Sequence, residues 1–571
     1  MQLIFYLGLM GCLLTGCRQK EPAETPPKVG ARYHCKAQTN DKDWYTSGKK
    51  APKFKGLEGI TFKISTNHPE AQTYFNQGLM LAYGFNHAEA ARSFFEATRL
   101  DPNCAMAFWG YAYVLGPNYN AGMEPDNFER AYDAAQSAFR LSKNATAKEK
   151  ALIEALATRY AKQPPEDRSA LDIAYNKAMK KVYQLYPDDP DVGALYAESL
   201  MDLHPWDLYE KSTKKPKPWT PELLSVLEHL MDLHPKHPGA HHFYIHAVEA
   251  SAYPEKGVPS AKLFKDLVPG SGHLVHMSSH IYINTGDYHL ATLANLAAVK
   301  IDSSYFTACH AQGAYPLAYY PHNYHFLSAT ATLEGASKTA WMAAKQVQSN
   351  TAKDVMEQPE WATLQHYYTI PYYVGVKLKM WDTILAQPMP EKKLIYPRAV
   401  LHYARGMAYL GKGNRIKAKT ELAALQKLAQ EAELKSLTIW NINTTHDLIQ
   451  IAVKVLRAEI AQDEKQYDQA RTLFLEAIAL EDQLNYDEPP DWFFSVRHEL
   501  GALLVKDGKY KQAEQIYRED LLHFRENGWA LIGLYQALLK QGREAEAKKV
   551  KERFDKAWAH ADFALTSSGV L

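Results

Sequence analysis

The chain has 571 residues, which would form about four ordinary domains unless a repeat lets one continuous core run along most of it. Its 65 Lys and Arg nearly balance its 64 Asp and Glu, and a net charge of +1 gives no electrostatic basis for nucleic-acid binding. With 46% hydrophobic and 12% aromatic residues and a mean hydropathy of −0.40, the composition excludes a disordered chain and a polytopic membrane protein.

The N-terminus has the pattern of an export signal. Residues 2–16 are almost wholly apolar, a run too short to span a bilayer. The run ends in Leu14-Thr15-Gly16-Cys17, which resembles the lipobox of bacterial lipoproteins, where the cysteine becomes the first residue and is acylated. We therefore expect a signal peptide over 1–16, a lipid anchor on Cys17 and a polar, proline-containing tether over 17–54. The expected location is the cell envelope, at the outer membrane or facing the periplasm.

From residue 71 a 34-residue pattern of small, aromatic and proline positions recurs along the chain. In its first copy these positions are Tyr74, Gly78, Ala90, Phe94, Ala97 and Pro102. The pattern resembles the tetratricopeptide repeat (TPR) superfamily. The resemblance implies an all-α fold, an α-α superhelix of about nine to twelve helix pairs with a concave groove. We divide it into N-terminal repeats over 55–240, histidine-rich central repeats over 241–370 and C-terminal repeats over 371–571.

Ten of the 23 histidines fall between residues 241 and 325. Residues spaced three, four or seven apart project from one face of a helix. Eight candidate metal ligands have such spacing within three predicted helices: His242, His246 and Glu249; His273, His276 and His280; and His322 and His325. The first of these helices has an uncertain register, so His241 is an alternative to His242. The segments around these residues look like those of a group of exported bacterial TPR proteins.

The histidines also recur at one position of the repeat. His273 lies 13 residues before Gly286, His322 lies 13 before Gly335, and His366 lies 13 before the turn that precedes Trp381. Successive first helices therefore present imidazole to the same groove. Neutral imidazoles with one carboxylate are the donor set for zinc, or for iron, copper or manganese in related geometries. The alternatives are a hydrogen-bonded seam of histidines and tyrosines without metal, or direct acid–base use.

Smaller features are less specific. Glu198 and Asp202 are four residues apart and form either a carboxylate pair for acid–base work or a solvated helix face. The segment 487–492 is interpreted as a capped turn leading into a helix. Cys35 and Cys104 can pair, although the five cysteines show no disulfide framework. The sequence has no glycine-rich phosphate loop, so no nucleotide cofactor is expected.

These features leave three function classes. The leading prediction is an exported, lipid-anchored TPR scaffold that binds a peptide, protein or small ligand in its groove and carries a His/Glu metal site, with no nucleic-acid partner. The second is a metal-dependent enzyme, a hydrolase or oxidoreductase, with its active site in the central histidine cluster. The third is a purely structural adaptor, which would not need the cluster.

The lipobox generates the first testable prediction. We expect the mature chain to begin at an acylated Cys17 and to lack residues 1–16, because the apolar run ends at the cleavage pattern. Intact mass spectrometry of the N-terminal peptide measures both events. A mature chain that retains Met1, or that carries an unmodified Cys17, would contradict the anchor.

Overall fold

Antiparallel helix pairs joined by short turns make up nearly all of the described chain. The computed structural model describes residues 42–211, 213–309 and 319–571. The first helices are α1 (Lys42–Thr46), α2 (Pro69–Tyr83), α3 (His87–Leu100), α4 (Ala105–Val114), α5 (Phe128–Leu141), α6 (Ala147–Ala157), α7 (Ser169–Leu185), α8 (Pro190–Leu203) and α9 (Thr220–Leu233). The central helices are α10 (Pro238–Glu249), α11 (Val258–Leu267), α12 (Gly272–Thr285), α13 (Tyr288–Cys309), α14 (Tyr320–Glu334), α15 (Ser337–Asn350), α16 (Thr363–Lys377) and α17 (Trp381–Leu385).

The C-terminal part continues the same alternation. Its helices are α18 (Ile395–Gly411), α19 (Arg415–Leu428), α20 (Glu433–Ser436), α21 (Thr445–Asp463), α22 (Tyr467–Glu481), α23 (Arg497–Lys506), α24 (Tyr510–His523), α25 (Gly528–Lys540) and α26 (Glu544–Ala557). Two short antiparallel strands, β1 (Thr438–Ile439) and β2 (Asn443–Thr444), pair Thr438 with Thr444 and Ile439 with Asn443. Apart from α1 and α20, the described helices form twelve consecutive packed pairs, which confirms the predicted all-α array of about nine to twelve.

Helix starts follow from local capping. The Asn86 side chain accepts from the Glu89 amide at the start of α3, and Ser271 accepts from the Leu274 amide at the start of α12. Thr146 and Glu149 form a reciprocal capping box before α6. These side chains satisfy backbone N–H groups that the first helical turn leaves without partners.

Helix ends confirm the register read from the sequence. Gly286 and Gly335 end α12 and α14 with φ of 84° each, and Lys379 after α16 has φ of 56°. These three left-handed residues lie 13 positions after His273, His322 and His366. The three histidine-bearing helices therefore reach their turns in the same phase.

The histidine-bearing helices lie between the two ends of the described chain. Most buried apolar side chains form two large groups, one drawn from residues 51–319 and one from 329–570. Several long-range hydrogen bonds join the centre to the C-terminal part, among them Asn284 Nδ2 to Tyr486 Oη (3.1 Å), Tyr288 Oη to the Arg525 carbonyl (2.8 Å) and Trp529 Nε1 to the Thr332 carbonyl (3.2 Å). The C-terminal repeats therefore fold back onto the central ones.

The predicted segment boundaries differ from the observed elements. All described residues fall in one compact unit that begins at Ala37. The divisions after residues 240 and 370 fall inside α10 and α16, so the helix pairs are the structural units. The predicted tether ends against the core, because Tyr74 Oη donates to the carbonyl of buried Ala51 (2.9 Å). The predicted signal peptide, Cys17 and Cys35 lie outside the described residues; Cys104 is buried.

No helix within the described ranges is both long enough and apolar enough to cross a bilayer.

The left-handed turn after α12 generates a prediction about stability. A Cβ at Gly286 would lie 2.5 Å from the Arg525 carbonyl oxygen, whereas a Cβ at Gly413, which also has positive φ, would meet nothing within 4 Å. Gly413→Ala should cost about 1 kcal/mol from backbone strain alone. Gly286→Ala should cost about 1–3 kcal/mol more, because it also pushes the C-terminal repeats away. Thermal and urea unfolding midpoints measure the difference; equal effects would show that the contact between Gly286 and Arg525 is unimportant.

Candidate metal centre

Helices α10, α12 and α14 bring six histidines together in the interior. Along α10 and α12 the spacings of three, four and seven place the side chains on one face of each helix. Five of the six rings are 0–2% exposed, and only His322 on α14 is partly exposed. The six imidazoles fall into two groups: His242, His246 and His273, the first triad; and His276, His280 and His322, the second triad. In each triad, one ligand atom per residue lies within 4.8 Å of the other two.

The first triad is oriented by two acceptors. His242 Nδ1 lies 2.6 Å from the Tyr83 carbonyl oxygen, and His246 Nδ1 lies 2.7 Å from Glu249 Oε1. Both acceptors require N–H on Nδ1, so a neutral ring carries its lone pair on Nε2. His242 Nε2 faces His273 Nε2 at 3.2 Å, and His246 Nε2 is buried without a hydrogen-bond partner. The lone pairs of His242 and His246 are therefore available to a ligand.

The second triad repeats this arrangement. His276 Nδ1 lies 2.6 Å from Asn295 Oδ1, and His280 Nδ1 lies 2.5 Å from Glu249 Oε2. The Asn295 amide is oriented by its own bond, in which Nδ2 donates to the Ala291 carbonyl (2.9 Å). Nδ1 of both histidines therefore carries hydrogen.

The two Nε2 atoms of the second triad then present lone pairs to each other. His276 Nε2 and His280 Nε2 are 3.0 Å apart. Two neutral rings with Nδ1–H have no hydrogen to place between these atoms. The contact is favourable only when a proton or a metal ion lies between them. Burial, with the neighbouring histidines, holds the pKa of His276 well below its usual range, which disfavours a proton carried by His276 itself.

Glu249 connects the triads through one carboxylate. Its two oxygens accept from His246 and His280, and the residue is 1% exposed. Burial raises the pKa of this carboxyl, but the two imidazoles lower it more, to about 2. Glu249 is therefore ionised and fixes the orientation of one histidine in each triad. Carboxylates commonly hold metal-binding histidines in this way.

Four further histidines of the triads also favour the neutral form. Burial, with the charge of neighbouring rings, holds the pKa of His242, His273 and His322 well below the usual range, and it lowers the pKa of His246. His273 Nδ1 and His322 Nδ1 are buried without hydrogen-bond partners. Neutral imidazole is the form that binds metals.

The chain's own aromatic residues surround the cluster. Phe85 stacks on His246 with ring centroids 5.8 Å apart, and Trp206 meets the same ring edge-on at 5.5 Å. Phe326 lies 4.9 Å from His276 and 4.7 Å from His280, centroid to centroid. The predicted imidazole lining is therefore buried, because aromatic residues of the N-terminal repeats and of α14 lie against the rings.

The eight predicted ligands do not all lie together in the structure. Six form the triads, and Glu249 accepts hydrogen bonds from two of them. His325 belongs to neither triad; its ring packs against Phe493 (5.4 Å) and His366 (5.5 Å). His241, the register alternative, bonds through its two nitrogens with Ser260 Oγ and the Pro235 carbonyl, outside the cluster.

Sequence reasoning missed several groups. Asn295 and the Tyr83 carbonyl orient histidines, but neither carries a sequence signal, because both contacts depend on packing between helices. The segment 487–492 is not a simple capped turn. Asp487, Glu488 and Asp491 are all buried, and the next helix begins only at Arg497. Its run of acidic residues was the one available signal.

Glu198 and Asp202 do not form a solvated face. Both are buried. Tyr113 Oη donates to Glu198, and Arg159 Nη2 pairs with Asp202 at 2.7 Å. Burial raises the pKa of Glu198 to about 7 despite Tyr113 and Arg159. The pair is part of a buried polar network in the N-terminal repeats.

Comparisons with known proteins give only loose structural matches. No family model matches the chain, and no curated protein matches it. Among solved structures, the human IFIT1 dimer with m7Gppp-AAAA is 14% identical, with 86% of this chain and 91% of that chain covered and a TM-score of 0.32. The APC/C hetero-tetramer Cut9–Hcn1 is 12% identical, with 89% and 77% covered and a TM-score of 0.29. Such loose superpositions carry no argument about ligands.

Proposed function

We propose that this chain is a helical-repeat scaffold that holds two transition-metal ions inside its central repeats, one in each histidine triad. The observation that carries the proposal is the pair of facing Nε2 atoms of His276 and His280, 3.0 Å apart, whose Nδ1 atoms both face acceptors. A hydrogen-bonded seam without metal would place one N–H between these atoms. The tautomers set by Asn295 and Glu249 provide none.

The distances also suit coordination. Two imidazole nitrogens on one tetrahedral zinc, at zinc–nitrogen bonds of 2.0–2.1 Å, lie roughly 3.3 Å apart, and at a right angle roughly 2.9 Å apart. The Nε2–Nε2 separations of 3.2 Å in the first triad and 3.0 Å in the second fall in this range. Binding would therefore need little movement of these rings.

The donor atoms limit which metal ions the triads would bind. Imidazole suits zinc, copper, iron and nickel, whereas magnesium, calcium and manganese prefer oxygen donors. Glu249 is already used by two N–H groups, so the proposed ligands are all neutral nitrogens. We therefore place zinc and copper ahead of iron, and manganese last, among the candidate ions.

Export and anchoring are part of the proposal. The lipobox at Cys17 and the polar segment after it support a lipid-anchored protein of the bacterial cell envelope. The repeat architecture supports the binding of a peptide, protein or small ligand. Because the histidines are covered by the chain itself, such a partner would bind another surface of the repeats, and only a small ligand would reach the metal ions.

A second candidate function is a metal-dependent enzyme, a hydrolase or oxidoreductase. The observation that favours it is the ligand count: each triad supplies three protein donors. Structural zinc sites usually have four protein ligands, whereas catalytic sites have three and keep a position for water or substrate. Two neighbouring ions with open positions can also act together on one bound group.

Metal content tests the first candidate. Protein purified without a histidine tag should contain about two zinc or copper ions per chain by elemental analysis. His242→Ala and His276→Ala should each abolish stoichiometric binding in their own triad, with helical content unchanged, because the fold rests on small and aromatic repeat positions. The matched control is His241→Ala, the neighbouring buried histidine outside the triads, which should retain both ions. If His276→Ala only destabilises the fold, by about 1–3 kcal/mol, and wild type holds no metal, the cluster is a polar seam.

A second variant tests the proposal that Glu249 orients the histidines without binding metal. Glu249→Gln keeps the size of the side chain and removes its charge. Metal affinity should fall about 10–100-fold while two ions still bind at saturation, because the carboxylate orients ligands without binding metal. Loss of one whole ion would instead make Glu249 a ligand.

Binding of an added anion to the metal distinguishes the two candidate functions. Cobalt(II)-substituted protein should show visible absorption bands that shift when azide is added, if each ion has a free coordination position. An unchanged spectrum would indicate closed sites and leave the structural role. The His276→Ala variant controls for azide binding elsewhere, since it should lose the response of the second triad.

A further inference from the structure

A non-helical segment of the chain lies in a groove of the C-terminal repeats. Residues 563–571 follow α26, form neither helix nor strand, and carry no charged side chain. Ser568, Gly569 and Val570 within this segment are nevertheless buried. The segment therefore occupies the groove in the way that a bound peptide would.

The groove holds this segment through its main chain. Four side chains form hydrogen bonds with it: Trp558 with the Phe563 carbonyl (2.9 Å), Gln536 with the Thr566 carbonyl (2.7 Å), Lys377 with the Ser568 carbonyl (3.3 Å) and Glu499 with the Val570 amide (2.9 Å). These side chains belong to α16, α23, α25 and the residue after α26, so the segment crosses several repeats. Hydrogen bonds to main-chain groups can be made to many different peptide sequences.

Two positions of the segment are recognised more specifically. Ser568 Oγ donates to the His498 carbonyl (2.8 Å) and lies 2.7 Å from Tyr517 Oη. At Gly569 the backbone approaches α23 closely, since a Cβ there would lie 2.8 Å from the Cβ of Ala502. The groove therefore selects a small hydroxyl residue followed by glycine.

The next position is filled incompletely. Val570 borders a cavity of about 30 Å3, whose other walls include Tyr373, Tyr403, Val455, Trp492 and Phe494. These walls are mostly aromatic and aliphatic, so an additional methylene group would gain apolar contacts there. A residue larger than valine would therefore bind more tightly at this position than the chain's own side chain.

Lys377 makes an occupant of the groove favourable. Its side chain is 2% exposed, Glu499 Oε1 is 3.9 Å from its Nζ, and burial lowers its pKa to about 8. The Nζ atom also lies 3.1 Å from His498 Nδ1. Without the segment, one N–H of this buried amine would lose its carbonyl acceptor. A peptide that offers a carbonyl at the position of Ser568 restores that bond.

We propose that this groove binds a non-helical peptide segment of a partner protein that carries a small hydroxyl residue, a glycine and a large apolar residue in succession. Residues 563–571 occupy the groove as an internal competitor, and their valine leaves a partner room to bind more tightly. This inference rests on the proposed scaffold function, for which it names the peptide-binding surface and the chemistry of the partner.

Peptide binding to the full-length protein as purified tests the groove. The probe is an amidated, fluorescein-labelled peptide with the sequence of residues 563–571, followed by fluorescence anisotropy. Val570→Asp places a charge at a buried position and should release the chain's own segment. This variant should bind the peptide at least about tenfold more tightly than wild type, where the tethered segment competes at high effective concentration. A peptide with isoleucine in place of this valine should bind about fourfold more tightly still.

The matched control is Thr566→Asp, which adds the same charge at an exposed position of the segment and should behave like wild type. Circular dichroism shows whether each variant folds; if Val570→Asp does not, a chain that stops after Leu565 replaces it. Absence of binding by the folded, released variant, or equal binding by that variant and wild type, would overturn the proposal. A wild-type dimer that the Val570→Asp variant no longer forms would also overturn it and assign the groove to a second copy of this chain. The metal content of the triads, measured separately, is independent of these outcomes.

Discussion

The interior of this protein depends on where each buried imidazole keeps its hydrogen. Tyr83, Glu249 and Asn295 each accept from an Nδ1 atom, so four rings keep their lone pairs on Nε2, and the lone pairs of His276 and His280 face each other. Such an arrangement is unfavourable in a neutral core. A cation between the rings would remove this conflict, which is the basis of the proposed metal sites.

The helical repeat positions these histidines through a simple spacing rule in the sequence. A left-handed residue 13 positions after a histidine sets the phase of α12, α14 and α16. Neighbouring helices of a repeat array pack about 8–10 Å apart, so long side chains in equal phase meet between them. One carboxylate on α10 can then orient rings on α10 and α12 together. The same phase places His366 one helix pair further along, beside the acidic segment.

Features that depend on local sequence pattern were predicted from the sequence. Features that depend on contacts between segments far apart in the sequence were missed. Helix pairs, the turn at Gly286 and the clustering of six histidines all follow from spacing along the chain. The division of the six histidines into two triads does not follow from this spacing, because it depends on how α10 crosses α12. The burial of Asp487 and Asp491 was equally invisible, since a segment more than a hundred residues away in sequence must fold back onto α16 to bury them. The covering of the histidines could not be predicted for the same reason: the repeat pattern describes neighbouring helices and says nothing about distant segments that pack over them.

Charge balance determines what the proposed metal triads would bind from solution. Two divalent ions in the triads would bring four positive charges into a region where Glu249, which accepts from His246 and His280, supplies one negative charge. Buried charge without compensation is costly, so the loaded triads would draw anions from solution into their open positions. Anionic ligands are therefore expected at the loaded triads, where compensation by the protein is incomplete.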